Sequence, residues 1–411
     1  MKKIMTMSRF CKYILVLCVF AVASCRSQVT SFDNTCFNIE AALDNCADVP
    51  LSRYVSDIEY IPLETNEKSL VVFTFDMSTD GKYLYFYCYS NTQQVLVFDM
   101  NGKYISQINK KGRGPGEYEG LSDFSLESDL NGQHVCLFES FANKILVYED
   151  DGKCVRDLDI KELLNANIDQ SKLHNTSIQS GVYLNRGRYV VISNTTFPKG
   201  YPGKYVRVSS NRLLVVDTLC NILKDENLGH SKAFIHSYKG NLRLSKGLSN
   251  DTLVFYDDNL NELSEISFDY GNLGSPADQF STGIDHRWNV ETEKFMVFKL
   301  SAYLRSMPKV FSKGLQTGSD YKSCFLVWDK ASNRMCAMPY NYEFMAHGFK
   351  NDIDGGAPFL PLSSVGNKMY QVLLASDFKK YAEKSTSKKM KEVAATLTDE
   401  SNSVLVVATL K

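Results

Sequence analysis

Two stretches decide the fold: Val95-Leu96-Val97-Phe98-Asp99 followed by Gly102-Lys103, and Ile145-Leu146-Val147-Tyr148-Glu149 followed by Gly152-Lys153. They carry the same pattern of apolar run, acidic residue and Gly-Lys, and the second begins 50 residues after the first. Around the first lie runs at 69–77, 83–89, 94–99 and 103–108, rich in β-branched and aromatic residues and split by Asp80-Gly81, by 90–92 and by Asn101-Gly102. Asp-Gly and Asn-Gly between apolar runs are strong hairpin signals, because both residues accept the left-handed backbone of a tight turn. The second unit repeats the plan at 121–126, 134–139, 144–149 and 153–160. A four-stranded antiparallel unit recurring at roughly 40 to 50 residues is the signature of a β-propeller blade.

Working outward, third strands recur at 213–217, 252–257 and 324–329, with wider spacing that predicts insertions between blades, for example around 194–205 and 269–288. About 350 residues divided by units near 60 gives six blades. The runs at 58–63 and 404–409 are strong strands without a hairpin partner nearby. Pairing them in one blade would close the ring and remove two exposed edges. Residues 377–397 read as an amphipathic helix whose Lys379, Lys380, Lys384, Lys388, Lys389 and Lys391 form a solvated face.

The N-terminus has a different character. Met1-Lys2-Lys3, the apolar run 13–22 and Ala23-Ser24-Cys25 give the charged start, apolar middle and small-residue end of an export signal. Val22-Ala23-Ser24-Cys25 also resembles the bacterial lipobox, which implies lipidation of Cys25. The expected organisation is a signal peptide at 1–24, a lipidated tether at 25–50 and an all-β six-bladed propeller at 51–411. The lipid would be the only membrane contact, with either face of the outer membrane open. Forty-six basic and 47 acidic residues leave a net charge of −1, so no field favours nucleic acid as a partner. Of eleven cysteines, most of those beyond Cys25 sit in apolar runs, where a thiol acts as a small hydrophobe. Cys36 and Cys46, in a polar leader, are the plausible disulfide, and no CxxC pair suggests a zinc or redox site.

Gly112-Arg113-Gly114-Pro115-Gly116-Glu117-Tyr118, after an Asn-Gly-Lys hairpin, resembles a family of six-bladed propeller lipoproteins abundant in the Bacteroidetes. Ile61-Pro62-Leu63-Glu64, Phe268-Asp269-Tyr270-Gly271 and Asp352-Ile353-Asp354-Gly355-Gly356-Ala357-Pro358-Phe359 add to the resemblance. It runs from about residue 50 to the C-terminus and implies fold and envelope location more than activity. Leu360 departs from it, standing where family members often carry a large aromatic.

Catalytic constellations are scarce. The heptad at 112–118 lacks the Gly-Lys-Ser/Thr ending and the following helix of a phosphate loop. The six histidines form no HxH or HExxH pair, and no Gly-x-Ser-x-Gly occurs. A site would therefore be assembled from several blades. Arg113, Glu117, Tyr118 and Asp354 are the expected ligand-binding residues, brought together at the channel mouth on the face that carries 90–92 and 141–143. His236, His347 and Asp352, with Asp354, are the candidates for a channel-bound metal. Two functional classes follow. One is a non-catalytic binding or scaffold protein without cofactor, taking a glycan, a peptide or an envelope protein. The other is a propeller hydrolase or lyase using calcium or zinc in the channel.

Overall fold

A computed structural model describes residues 35–71, 74–88, 93–129, 132–166, 175–201, 204–230, 232–247, 251–273, 283–303, 310–313 and 321–411. Cys25 and the rest of the expected signal and anchor lie outside them. From Asn34 to the C-terminus the chain forms one compact unit.

That unit is a six-bladed β-propeller. Blade 1 takes strands Thr74–Thr79, Tyr83–Cys88, Gln94–Asp99 and Tyr104–Ile108 in sequence order, the first innermost. Blade 2 repeats the order with Leu121–Asp129, Gly132–Glu139, Lys144–Tyr148 and Cys154–Asp159. Blade 3 runs Asn175–Leu184, Arg188–Tyr201, Lys204–Asp217 and Ile222–Gly229, and blade 4 runs Lys232–Tyr238, Asn241–Gly247, Thr252–Tyr256 and Glu262–Asp269. Blade 5 holds Gly283–Glu291, Phe295–Tyr303, Tyr321–Asp329 and Arg334–Met338, with Ser312–Lys313 as a short addition on Tyr321–Asp329.

Blade 6 is built from both ends of the chain. Ser363–Val365 and Lys368–Leu373 supply its inner strands, Val404–Leu410 the third, and Val55–Pro62 the outermost. Ile58 pairs with Ala408 and Ile61 with Leu405, antiparallel, as the closure argument requires. The third strand is buried from Val404 to Ala408, so the seam of the ring is among its most desolvated elements.

The core lies in the layers between blades. Tyr85, Val97 and Ile108 of blade 1 pack on Phe124, Leu137 and Tyr148 of blade 2. Leu84, Phe86 and Phe98 pack on the other side against Tyr370, Leu405 and Val407 of blade 6. Because successive side chains point to opposite faces, both faces of an inner strand are buried and the strands read as continuous apolar runs.

Four expectations change. The insertion expected at 194–205 falls on the long hairpin of Arg188–Tyr201 and Lys204–Asp217, in register to Tyr201 opposite Lys204. The single helix at 377–397 is two, Ala375–Lys384 and Lys388–Ala395. Ser385-Thr386-Ser387 breaks it because Ser387 accepts from the Met390 N–H, a local cap that competes with helix continuation. The stretch read as a tether is ordered from Thr35. Thr35–Asn38 adds in parallel to the outer edge of blade 4, and Ile39–Asp44 forms a short helix. Phe37 reaches the buried Trp328 ring of blade 5 at 5.4 Å. Cys36 and Cys46 are both free thiols.

Candidate functional site

The six innermost strands line a channel, and three of them share an irregularity. The ladder between first and second strand slips between Thr74 and Asp76, between Leu121 and Asp123, and between Ile178 and Ser180. A bulge bends the strand and re-aims the side chain that follows it. The matched bulges thus place Asp76, Asp123 and Ser180 at corresponding positions of three consecutive blades.

At this level a cavity of about 360 Å³ follows the channel. Its wall includes Asp76, Asp123, Ser125, His236, Ser237 and Ser364, and it extends to Lys239 and Gly366 in the turns after the innermost strands of blades 4 and 6. Those turns belong to the hairpin face, where Arg186 of such a turn pairs with Asp258 of the next blade's outer hairpin at 2.8 Å.

The two aspartates differ in what holds them. Asp123 accepts from Ser180 Oγ at 3.0 Å, from the Gly181 N–H at 3.2 Å and from the Phe124 N–H at 3.0 Å. Asp76 accepts from the Met77 N–H at 2.7 Å. Enclosure by protein disfavours charge on both, and each donor restores part of what water would give. Desolvation, with the Asp123 charge nearby, pushes Asp76 up to about 7. Desolvation raises Asp123 to about 6, with its donors working the other way. The channel therefore holds a carboxyl pair that changes charge near neutral pH, a pattern found at functional sites.

Nearer the mouth lies an ion network. Glu291 is gripped by Arg243 at 2.8 and 3.1 Å and by Lys330 at 2.8 Å, with His236 Nε2 at 3.9 Å. Burial opposes the charge of Glu291, but Arg243 and then Lys330 hold its carboxyl below the usual range. Tyr238 lies under the Arg243 and Lys330 cations at 5.8 and 5.3 Å. This network ties blade 4 to blade 5 and fixes one wall of the cavity.

Among the residues named from the sequence, only His236 lines this cavity. Tyr118 is buried between blades 1 and 2, its hydroxyl donating to the Gln93 carbonyl at 2.6 Å. Glu117 accepts from the Gly114 N–H at 2.8 Å inside its own loop. Gly116 has φ of +66°, and a Cβ there would meet Cys154 at 2.8 Å, so the glycine is required by close packing on blade 2. Arg113 points outward and pairs with Glu119 at 2.6 Å. Asp354 accepts from Tyr60 at 3.1 Å, Asn351 at 2.9 Å, the Gly356 N–H at 3.0 Å and Ser387, locking the 352–361 loop to blade 6 and its helices. The expected convergence of Arg113, Glu117, Tyr118 and Asp354 on the channel mouth does not occur, because the glycine-rich heptad and the 352–361 loop fill different inter-blade layers.

The metal candidates separate as well. His347 stacks at an angle on Phe325 and Tyr340, centroids 5.2 and 4.9 Å away, and burial pushes it down to about 4. Asp352 accepts from the Ser52 N–H at 2.8 Å and from its hydroxyl. Among the described residues no group of three or more His, Cys, Asp or Glu stands close enough to hold a metal ion.

Asp76 and Asp123 were hidden in the sequence because they sit within runs read as strands. Their signal is positional: both fall in the innermost strand of their unit, one residue past the bulge, where a carboxylate is out of place in a β-rich apolar run.

No functionally curated protein matches the sequence. A candidate exported protein from Bacteroides fragilis is similar in structure, with a TM-score of 0.60 over 92% of this chain and 99% of that one at 16% identity, which shows the fold. A member of the DUF4221 family from Bacteroides vulgatus aligns over 87% and 97% of the two chains at 9% identity with a TM-score of 0.45. The family model described as "Domain of unknown function (DUF4934)" matches residues 34–409, the whole ring together with its N-terminal strand, and the chain belongs to that family.

Proposed function

We propose that the protein is an exported lipoprotein of the cell envelope, anchored in the outer membrane through Cys25, whose propeller binds a ligand in its channel without transforming it. The lipobox-like ending Val22-Ala23-Ser24-Cys25 supports the anchor. The observation that carries the binding role is the level of matched bulges, at which Asp76 and Asp123, with Ser125, Ser237 and Ser364, line a cavity of about 360 Å³. Cavities of this size with a few convergent polar groups suit small or extended ligands. Carboxyl groups that accept and a hydroxyl that both donates and accepts favour a ligand rich in donors, such as a glycan or a peptide bearing an amine.

The test is calorimetric titration of soluble glycans and cationic peptides into the mature protein and into Asp123→Asn. Asp123→Asn weakens binding by about tenfold, the equivalent of roughly 1.4 kcal/mol, and Arg113→Ala leaves it unchanged. A ligand whose affinity ignores Asp123→Asn but falls with Arg113→Ala would move the site to the opposite face. The second reading, a hydrolase or lyase working with calcium or zinc, draws on the same raised carboxyl pair. Stoichiometric metal retained by the wild type and lost from Asp123→Asn would select it.

A further inference from the structure

Blades 1 to 4 build the turn before their outermost strand in one way. Asp99, Glu149, Asp217 and Asp257 each donate their N–H to the carbonyl of the residue four positions on, Lys103, Lys153, Asn221 and Asn261. The tip of that turn is Asn101, Asp151 and Asn259 in blades 1, 2 and 4, as a water-facing turn requires. In blade 3 it is Leu219, which is 79% exposed. Ile222, in the place of Tyr104, Cys154 and Glu262, and Leu223 stand exposed beside it at 44% and 50%. Three exposed aliphatic side chains within five residues form a contiguous apolar tip, unlike singly scattered ones. The charges next to them neutralise one another, Arg212 with Asp225 and Lys224 with Glu226.

The chain's own N-terminal strand indicates what covers this tip. Thr35–Asn38 lies along the outermost strand of the neighbouring blade 4, with Thr35 beside Ile266 and Asn38 beside Asp269. Because the pairing is parallel, the N-terminal end of the strand is the end nearer the exposed Leu263, on the same hairpin-face side of the rim as Leu219. Nine residues, 26–34, separate Thr35 from Cys25, a reach of at most about 3.5 Å each or roughly 30 Å in all.

We propose that the rim of blades 3 and 4 is the membrane-facing edge of the propeller, with Leu219, Ile222 and Leu223 inserted at the headgroup and acyl boundary of the bilayer that holds the lipid of Cys25. This rests on the lipoprotein reading above and adds an orientation to it. The ring stands on its edge, which leaves both mouths of the channel in solvent. The lipid of Cys25 holds only the N-terminus at the bilayer, and an apolar contact a short tether away would fix the orientation of the ring.

The experiment places tryptophan at the tip, as Leu219→Trp, and on the opposite face, as Phe141→Trp at a residue 70% exposed. Each full-length variant is purified from membranes, its N-terminal acylation read by mass, and reconstituted on phosphatidylethanolamine and phosphatidylglycerol vesicles with brominated acyl chains. The wild type, with its own Trp288 and Trp328, sets the baseline. The added emission of Leu219→Trp falls by about twofold, as expected for a side chain some 5 to 10 Å into the boundary, and that of Phe141→Trp does not change. Equal quenching of the two, or none in either, with Cys25 acylated overturns the orientation and leaves the lipoprotein reading standing. An unacylated Cys25 overturns both. Hydrogen exchange of residues 217–223 in the unsubstituted protein repeats the test: protection on vesicles supports the contact, and exchange unchanged from detergent contradicts it.

Discussion

Asp76 and Asp123 occupy corresponding places in neighbouring blades, yet their environments differ by the number of donors that reach them, one against three. Each hydrogen bond to the ionised form stabilises it, so the better-solvated Asp123 stays lower, near 6, and Asp76 rises near 7. His347 is the opposite case. Buried against Phe325 and Tyr340, it keeps its neutral form down to about 4. Because its folded pKa lies below the unfolded value near 6.5, the unfolded chain takes up a proton that the fold refuses. Stability is then lost as pH falls from 6.5 towards 4. Denaturant unfolding at pH 7.5 and pH 5 checks this with His347→Phe. The variant gains about 2 kcal/mol on the wild type between the two pH values, and parallel losses in both proteins would show that His347 is not held neutral.

At the scale of elements, the hairpin chemistry was legible and the local interruptions were not. Asn101-Gly102 and Asp151-Gly152 specify their turns because glycine tolerates the left-handed backbone that both positions adopt. The pairing of 58–63 with 404–409 followed from edge strands lacking partners. The bulges at the channel carry no residue signature, since they arise from how the inner strand curves around the axis. The break at Ser385-Thr386-Ser387 was written in the sequence but outweighed by the lysine periodicity on either side. Ser387 caps the second helix and also donates to Asp354, joining the helices to the 352–361 loop. Ser387→Ala costs roughly 1 to 2 kcal/mol through loss of the cap and of a hydrogen bond to a carboxylate. Thermal unfolding measures it, and a midpoint equal to that of the wild type would mean that the cap adds nothing. The glycine-rich heptad looked like a site because glycine, arginine and glutamate together suggest anion or ligand contacts. Its glycines instead serve close packing, as Gly116 against Cys154 shows.

For the whole molecule, closure by the two ends makes the stability of all six blades depend on one strand. Val404, Leu405, Val406, Val407 and Ala408 are almost fully buried between Val55–Pro62 and Lys368–Leu373. At about 1.5 to 3 kcal/mol for each large apolar side chain, their removal costs roughly 6 to 12 kcal/mol, comparable to the entire stability of a domain. Deletion of 403–411 therefore unfolds the ring as a unit, seen as loss of hydrogen-exchange protection in blades 2 and 3 as well as in blade 6; protection retained in those distant blades would contradict closure. The same ring gathers side chains distant in sequence onto one channel, which is why the architecture was readable from repeats and the site was not. A ligand site assembled from single positions of several blades has no motif, only register. The most direct test of that site is a carbon-13 NMR titration of the aspartate carboxyls, assigned by Asp76→Asn and Asp123→Asn. Asp76 is expected to titrate near 7 and Asp123 near 6, with Asp76 falling when Asp123 is neutralised. Both titrating near 4, independently of each other, would mean that the channel solvates them like surface carboxylates and presents no such pair to a ligand.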